Sequence, residues 1–147
     1  MSTSIRPTTP ADFRLWEPLW QAYLLFYKAA VTDKVTRLTF DRLTGGNAAM
    51  GSFLAFDGAK AIGMVNWIMH PSCWTEGDYC YLQDLFVDPH ARGGGVGRKL
   101  IETVYDVARN RLCPRVYWLT HETNTDAMKL YDKMADRSGF IQYRHIL

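Results

Sequence analysis

Apolar residues recur along this chain with two distinct periods, and the switch between them divides it into elements. Phe13, Trp16, Trp20, Tyr23, Leu24 and Tyr27 follow helical spacing, with Asp12 placed to cap the helix and Pro18 expected to limit its early turns. A short strand at Ser4 to Arg6 precedes it. Thr39 to Leu43 predicts a brief second helix, closed by the loop Gly45-Gly46-Asn47. Ser52 to Phe56 and Lys60 to His70 are rich in strand formers and flank Asp57-Gly58, a hairpin turn signal. Tyr79 to Val87 predicts a third strand continuing the meander.

The period then changes. Val96, Leu100, Ile101, Val104, Val107 and Ala108 share one helical face, with Arg98, Lys99, Glu102, Asp106 and Arg109 largely opposite. Arg115 to Thr120 is a β-rich run. Ala127, Leu130, Tyr131 and Met134 mark a further helix, and a last strand is expected after Ser138-Gly139. An antiparallel meander followed by strand, helix and strand predicts a mixed-sheet α/β fold, because a helical crossover returns the chain parallel to its starting strand. Core packing accounts for Phe13 and Trp16, whereas Tyr23 and Tyr27 are placed to reach a substrate pocket.

Composition narrows the class without naming a chemistry. The 147 residues, 48% hydrophobic and 22% charged, suit one globular domain spanning 1–147. Seventeen basic residues nearly balance fifteen acidic ones, and a net charge of +2 without long same-sign runs argues against nucleic acid or a membrane surface as partner. No stretch approaches the ~18 apolar residues of a membrane span, and the first residues lack the apolar run of a signal peptide. Cys73, Cys80 and Cys113 are an odd number without a CxxC pair, so the expectation is a soluble protein of a reducing, cytoplasmic compartment. His70, His90, His121 and His145 lack metal-ligand spacing, and no metal is expected.

The segment Arg92-Gly93-Gly94-Gly95-Val96-Gly97, ahead of a helix, is the first with chemical content. Consecutive glycines let backbone N–H groups converge on an anion, and the positive end of the helix adds field there. Pyrophosphate suits such a site. A P-loop is disfavoured because no Gly-Lys-Ser/Thr follows. A dinucleotide fold is disfavoured because Asp88 to Ala91 separate strand from loop and a meander precedes them, although Glu122 sits where a ribose-binding acid would.

Arg92 to Gly97 matches the Arg/Gln-x-x-Gly-x-Gly/Ala signature of the GCN5-related N-acetyltransferases, and Asn124 to Tyr131 matches that family's later Asn-x-x-Ala-x-x-Leu/Phe-Tyr element. Two ordered motifs make the resemblance specific; it is strongest over Tyr79 to Tyr131. Tyr81 to Val87 and Val116 to Thr120 look like the branch of fungal histone and D-amino-acid acetyltransferases, with a more distant similarity to diamine acetyltransferases.

The resemblance implies the acyl-CoA N-acyltransferase fold and acetyl-CoA as cosubstrate. It implies that Leu85, Phe86 and Val87 present backbone to the acetyl-pantetheine arm and that Gly93 to Arg98 hold the pyrophosphate. An N–H of Leu85 or Phe86 would then stabilise the oxyanion. Asn124, Ala127 and Tyr131 would complete the coenzyme site. Tyr131 becomes the candidate general acid, since a phenol near pKa ~10 and a thiol near ~8.5 exchange a proton with little driving force.

The base is less defined. Gln83 stands where diamine acetyltransferases carry a glutamate and cannot accept a proton. Asp84 is the candidate, on the opposite strand face, with Glu122, His121 or a water as alternatives. Gln83, Tyr23 and Tyr27 are candidate acceptor contacts, and Cys73 to Asp78 combines an aromatic with carboxylates that suit a cationic amine. The expected reaction acetylates a primary amine of a small molecule. A protein lysine or N-terminus is the nearer alternative, and a non-catalytic acyl-CoA sensor the more distant one. A homodimer is expected, through pairing of the terminal strand after Phe140.

Overall fold

A computed structural model describes residues 2–147. Its centre is a five-stranded sheet in sequence order, of β1 (Thr3–Pro7), β2 (Met50–Asp57), β3 (Lys60–His70), β4 (Tyr79–Val87) and β5 (Arg115–Tyr117). The first four strands pair antiparallel, and β5 joins β4 in parallel. Helices α1 (Phe13–Phe26) and α2 (Asp33–Thr44) cover one face, while α3 (Val96–Asn110) covers the other and carries the chain from β4 to β5. Helix α4 (Thr125–Met134) follows β5.

The two faces have separate cores. Trp16, Trp20, Phe40, Leu54, Met64 and Phe86 pack under α1 and α2, and Val65, Trp67, Leu82, Leu100, Ile101 and Val104 pack under α3. An irregularity in β4 sets which residues face which core. Asn66 lies opposite Asp84 but Trp67 lies opposite Leu82, which leaves Gln83 as an extra residue, exposed and without a cross-strand partner. Such a bulge resets the alternation of side chains. Leu82 and Leu85 therefore both face α3, and Asp84 and Phe86 both face α1.

Several expected boundaries change. α2 runs from Asp33 rather than Thr39, started by Thr32, whose hydroxyl accepts from Val35 N at 3.2 Å. Its outward apolar residues Val35 and Leu38 blur the helical stripe, and a bond from Trp20 Nε1 to Thr36 Oγ1 (3.1 Å) ties it to α1. Pro18 does not limit α1, because it and Arg14, whose carbonyl it leaves free, lie on the exposed face where water serves as donor. Asp12 does not cap α1 with its side chain; it pairs with Arg6 at 2.7 and 3.0 Å and accepts from Thr9 N at 2.7 Å. β5 stops at Tyr117 instead of Thr120. No strand follows Gly139: residues 135–147 form no regular element.

Candidate active site

The early end of β5 creates the site. Only Tyr79 to Tyr81 of β4 pair with Arg115 to Tyr117. Beyond them the two chains separate, and the outer backbone edge of β4 opens on a cleft of about 990 Å³. Its walls are Leu85, Phe86 and Val87 of β4, the loop and first turn of α3, α4 from its start to Lys133, and Phe26, Tyr27 and Lys28 at the end of α1.

The glycine loop has the geometry its composition anticipates. Gly93 and Gly95 adopt φ of +89° and +76°, where L side chains are strained, and a Cβ on either would project into open space rather than into protein. Gly95 is the residue before α3, so the unpaired N–H groups of the first helical turn lie at the cleft. Gly97 differs: a Cβ there would make ordinary contact with Leu130 at 3.5 Å and Val87 at 3.8 Å, so this position faces α4 and β4 rather than open space. Arg92 ties the loop to the strand end, its Nε donating to Val87 O at 3.1 Å. Lys28, Arg92, Arg98 and Lys133 line the cleft against one acid, Asp126. An open glycine cradle, helix N–H groups and excess cations together fit a pyrophosphate-bearing ligand.

Tyr131 of α4 lines the same cleft, its ring edge-on to Trp118 at 5.4 Å between centroids. Burial, aided by the nearby Tyr27 and opposed by Arg92, pushes its phenol up to about 12. It is therefore protonated across the ordinary pH range. Asn124 precedes α4, but its side chain bonds no helix N–H; its Nδ2 donates to Thr120 Oγ1 at 3.0 Å and reaches Tyr27 Oη at 3.5 Å.

Of the residues expected at the coenzyme site, Leu85, Phe86, Val87, Arg92, Gly93, Gly95, Val96, Gly97, Arg98, Asn124, Ala127 and Tyr131 line the cleft, and Gly94 does not. Tyr27 lines it as well. Tyr23, Gln83 and Asp84 lie outside it. Asp84 is buried on the α1 side of the sheet, accepting from Asn66 Nδ2 at 3.1 Å and facing the Tyr23 hydroxyl; Asn66 in turn accepts from Trp16 Nε1 at 3.4 Å. Burial raises the Asp84 carboxyl above its ordinary value, an effect these two donors oppose.

Beside this carboxylate the structure groups the expected Tyr23 and Tyr27 with Tyr81, Tyr117 and His70, which the sequence reading did not assign to a site. Tyr81 stacks on Tyr117 at 4.9 Å, Tyr117 Oη lies 2.7 Å from His70 Nε2, and Tyr23 packs against Tyr27 at 5.1 Å. Tyr81 alternates with two core residues along β4, Cys80 and Leu82, which is the one sequence signal that it faces the other side. Pairing across β4 and β5 then brings Tyr117 to it.

A profile of the Acetyltransferase (GNAT) family matches residues 16–135. The D-amino-acid N-acetyltransferase HPA3 of Saccharomyces cerevisiae is 35% identical over 142 residues, which span 95% of this chain and 88% of that protein. The thialysine N-epsilon-acetyltransferase of Caenorhabditis elegans is 33% identical over 86 residues, 58% of this chain and 53% of that one. Among solved structures, the aminoglycoside acetyltransferase AAC(6')-Iy, in complex with a CoA-containing bisubstrate analog, superposes with a TM-score of 0.87 at 18% identity, covering 100% of this chain and 99% of that one. A ribosomal-protein-alanine N-acetyltransferase from Brucella melitensis biovar Abortus 2308 gives 0.84 at 19%, covering 99% and 100%.

Proposed function

Because this chain belongs to the acetyltransferase (GNAT) family, whose fold it has and whose acetyl-CoA-dependent N-acetyl transfer it therefore performs, we propose that its acceptor is the primary amine of a small molecule and that Tyr131 is the general acid. The observation that carries the assignment of Tyr131 is a phenol in the wall of the cleft that the glycine loop also lines, with a pKa that burial pushes up to about 12. Acetyl-CoA supplies a thioester acyl group and a thiol as leaving group. The chain's own residues do the rest.

The α3 N-terminus, Arg92 and Arg98 hold the pyrophosphate by charge and by backbone N–H groups. The open edge of β4 from Leu85 to Val87 takes the pantetheine arm as an added strand, and one of its N–H groups meets the developing oxyanion. Tyr131 delivers its proton to the departing sulfur. Its raised pKa does not disable that transfer, since the burial that disfavours the phenolate disfavours a thiolate in the same cleft.

On the acceptor side, Tyr23, Tyr27, Tyr81 and Tyr117 form an aromatic wall next to Asp84, a combination that attracts an ammonium through ring faces and one carboxylate. The amine must lose a proton before it attacks. Tyr23, donating to Asp84, can accept that proton from the ammonium while passing its own to the carboxylate, and the raised pKa of Asp84 favours its arrival there. Gln83 is exposed on the bulge, where its polar side chain is available to an acceptor.

Small amines are favoured over protein lysines by the relatives: at 35% identity over nearly the whole chain stands an enzyme named for D-amino acids, and at 33% one named for thialysine. Thiol release measured with D-amino acids, diamines, thialysine and lysine-bearing peptides tests the reading. Turnover is expected with a free amino acid or diamine. Turnover confined to peptides would overturn it.

A further inference from the structure

The aromatic wall proposed for the acceptor does not end at Asp84. Rings continue along the same face of the sheet, from Tyr81 to Tyr117 with planes 14° apart, and on to His70, whose ring lies 5.7 Å from Tyr117 and 5.9 Å from Tyr79. Strand pairing puts them together: His70 lies opposite Tyr79 and Tyr81 opposite Tyr117, while their neighbours Met69, Cys80 and Val116 point to the α3 core. All four rings are half-buried, so this shelf is open to a solute.

The hydrogens of the His70–Tyr117 pair are fixed by what surrounds it. His70 Nδ1 lies 2.8 Å from the Pro71 carbonyl, which can only accept, so Nδ1 carries a hydrogen in either charge state. On the neutral ring Nε2 is then a bare lone pair, and the Tyr117 hydroxyl 2.7 Å away donates to it. Burial, aided by the Cys80 thiol, raises the Tyr117 phenol, which therefore keeps this proton. What Tyr117 has left to offer is a lone pair. A proton on Nε2 reverses the bond: Nε2–H donates to the phenol oxygen, and the phenol hydrogen is freed for another partner. The surroundings lock neither state. Arg115 lies over the Tyr79 ring at 4.5 Å, Asp78 bears on Cys113, and among the described residues neither nitrogen of His70 meets a carboxylate.

Tyr81 stands three residues before Asp84 on β4, roughly 7–10 Å at strand rise once the bulge is allowed for. A primary amine held at Asp84 and Tyr23 thus brings the far end of a chain of about five carbons to Tyr117. We propose that Tyr117, aimed by His70, binds the far end of an elongated acceptor and selects a hydrogen-bond donor there, so that a diamine is preferred to an amino acid with its carboxylate at that end, a preference that protonation of His70 removes. His70 is a positioning residue, acting through Tyr117. The inference rests on the proposed small-amine acceptor and extends it to the rest of that molecule.

The test measures thiol release from acetyl-CoA with cadaverine, 5-aminovalerate and pentylamine, which share one primary amine and differ at the far end, over a range of pH. The kcat/KM ratio of cadaverine to 5-aminovalerate cancels the titration of the reacting amine, common to both. With His70 neutral the ratio should be ~10 or more, and it should fall as acid protonates the ring. His70→Gln, whose amide oxygen still accepts from Tyr117 but does not titrate, should hold the high ratio at every pH. Tyr117→Phe keeps its ring on Tyr81 and should leave only the smaller preference of ring faces for a cation, without an acid limb. Both variants are read as ratios within one protein, so a change in folded fraction cancels. A wild-type ratio near one in alkali, or an acid limb that persists in either variant, overturns the proposal, and turnover of pentylamine then leaves the small-amine reading standing. Failure of all three amines as substrates overturns it too, and the panel of amino acids and peptides decides separately whether that reading stands.

Discussion

Gly95 offers the sharpest separation of charge from shape at the proposed coenzyme cradle. Its φ of +76° charges any replacement a backbone cost of ~1–2 kcal/mol, least for asparagine and aspartate, whose short polar side chains tolerate this region. No protein atom lies within 4 Å of the Cβ it would acquire, so neither residue clashes with the fold. Gly95→Asn and Gly95→Asp are therefore nearly equal in strain and volume and differ by one negative charge facing the cradle. A unit charge ~6 Å from a phosphate charge costs ~3 kcal/mol at an effective dielectric of ~20. Screening over a Debye length of ~8 Å at physiological salt halves that to ~1.4 kcal/mol, or ~10-fold in Kd. Calorimetric titration of acetyl-CoA into both variants should show this gap, widening as salt is lowered, while their unfolding temperatures coincide. Equal affinities at low salt, or a gap insensitive to salt, would refute the placement of the pyrophosphate.

Other outcomes follow from individual side chains. Tyr131→Phe should lower kcat by ~10²-fold or more under chemistry-limited conditions and leave acetyl-CoA affinity unchanged, since only the donated proton is lost; an unchanged kcat would remove Tyr131 as the acid. Asp84 is held with a raised pKa, so folding favours its proton and stability falls as pH rises from the unfolded value of about 3.9 through the folded one. Asp84→Asn should erase that slope in urea titrations and raise stability at neutral pH while depressing kcat; full activity would exclude Asp84 as the proton acceptor. Asp12 behaves oppositely: the Arg6 guanidinium, aided by Thr9, lowers its carboxyl from 3.8 to about 2. That drop is worth ~2 kcal/mol, fully present above pH ~4 and lost as pH falls through about 2. Asp12→Asn should cost roughly that at neutral pH and flatten the acid limb of stability, and an unaltered acid midpoint would contradict the pairing.

Local patterns were readable where local geometry governs. Arg92 to Gly97 announces an anion loop because positive φ and a bare helix N-terminus are properties of a few consecutive residues, and Gly93 and Gly95 realise them. The amphipathic stripe of α3 and the hairpin turn at Asp57-Gly58 were equally plain. Boundaries set by distant partners were not. Asp12 looked like a helix cap, yet Arg6 takes it, because a bidentate ion pair outcompetes a capping bond to a neutral N–H. Asn124 stands where a cap of α4 would, yet its amide turns to Thr120 and Tyr27.

By itself, then, the sequence made the proposed donor half of the site readable, from the α/β order of elements through the glycine loop to Tyr131 on a helix, since spacing along the chain carries that information. Tertiary structure decided how the proposed acceptor half is assembled, although Tyr23, Tyr27 and Asp84 were candidates from the sequence. The bulge at Gln83 turns Asp84 inward to Asn66 and Tyr23, and the pairing of β4 with β5 stacks Tyr81 on Tyr117. The physical reason is that side-chain direction in a sheet depends on register with another strand, and one extra residue in that register moves every later side chain to the other face.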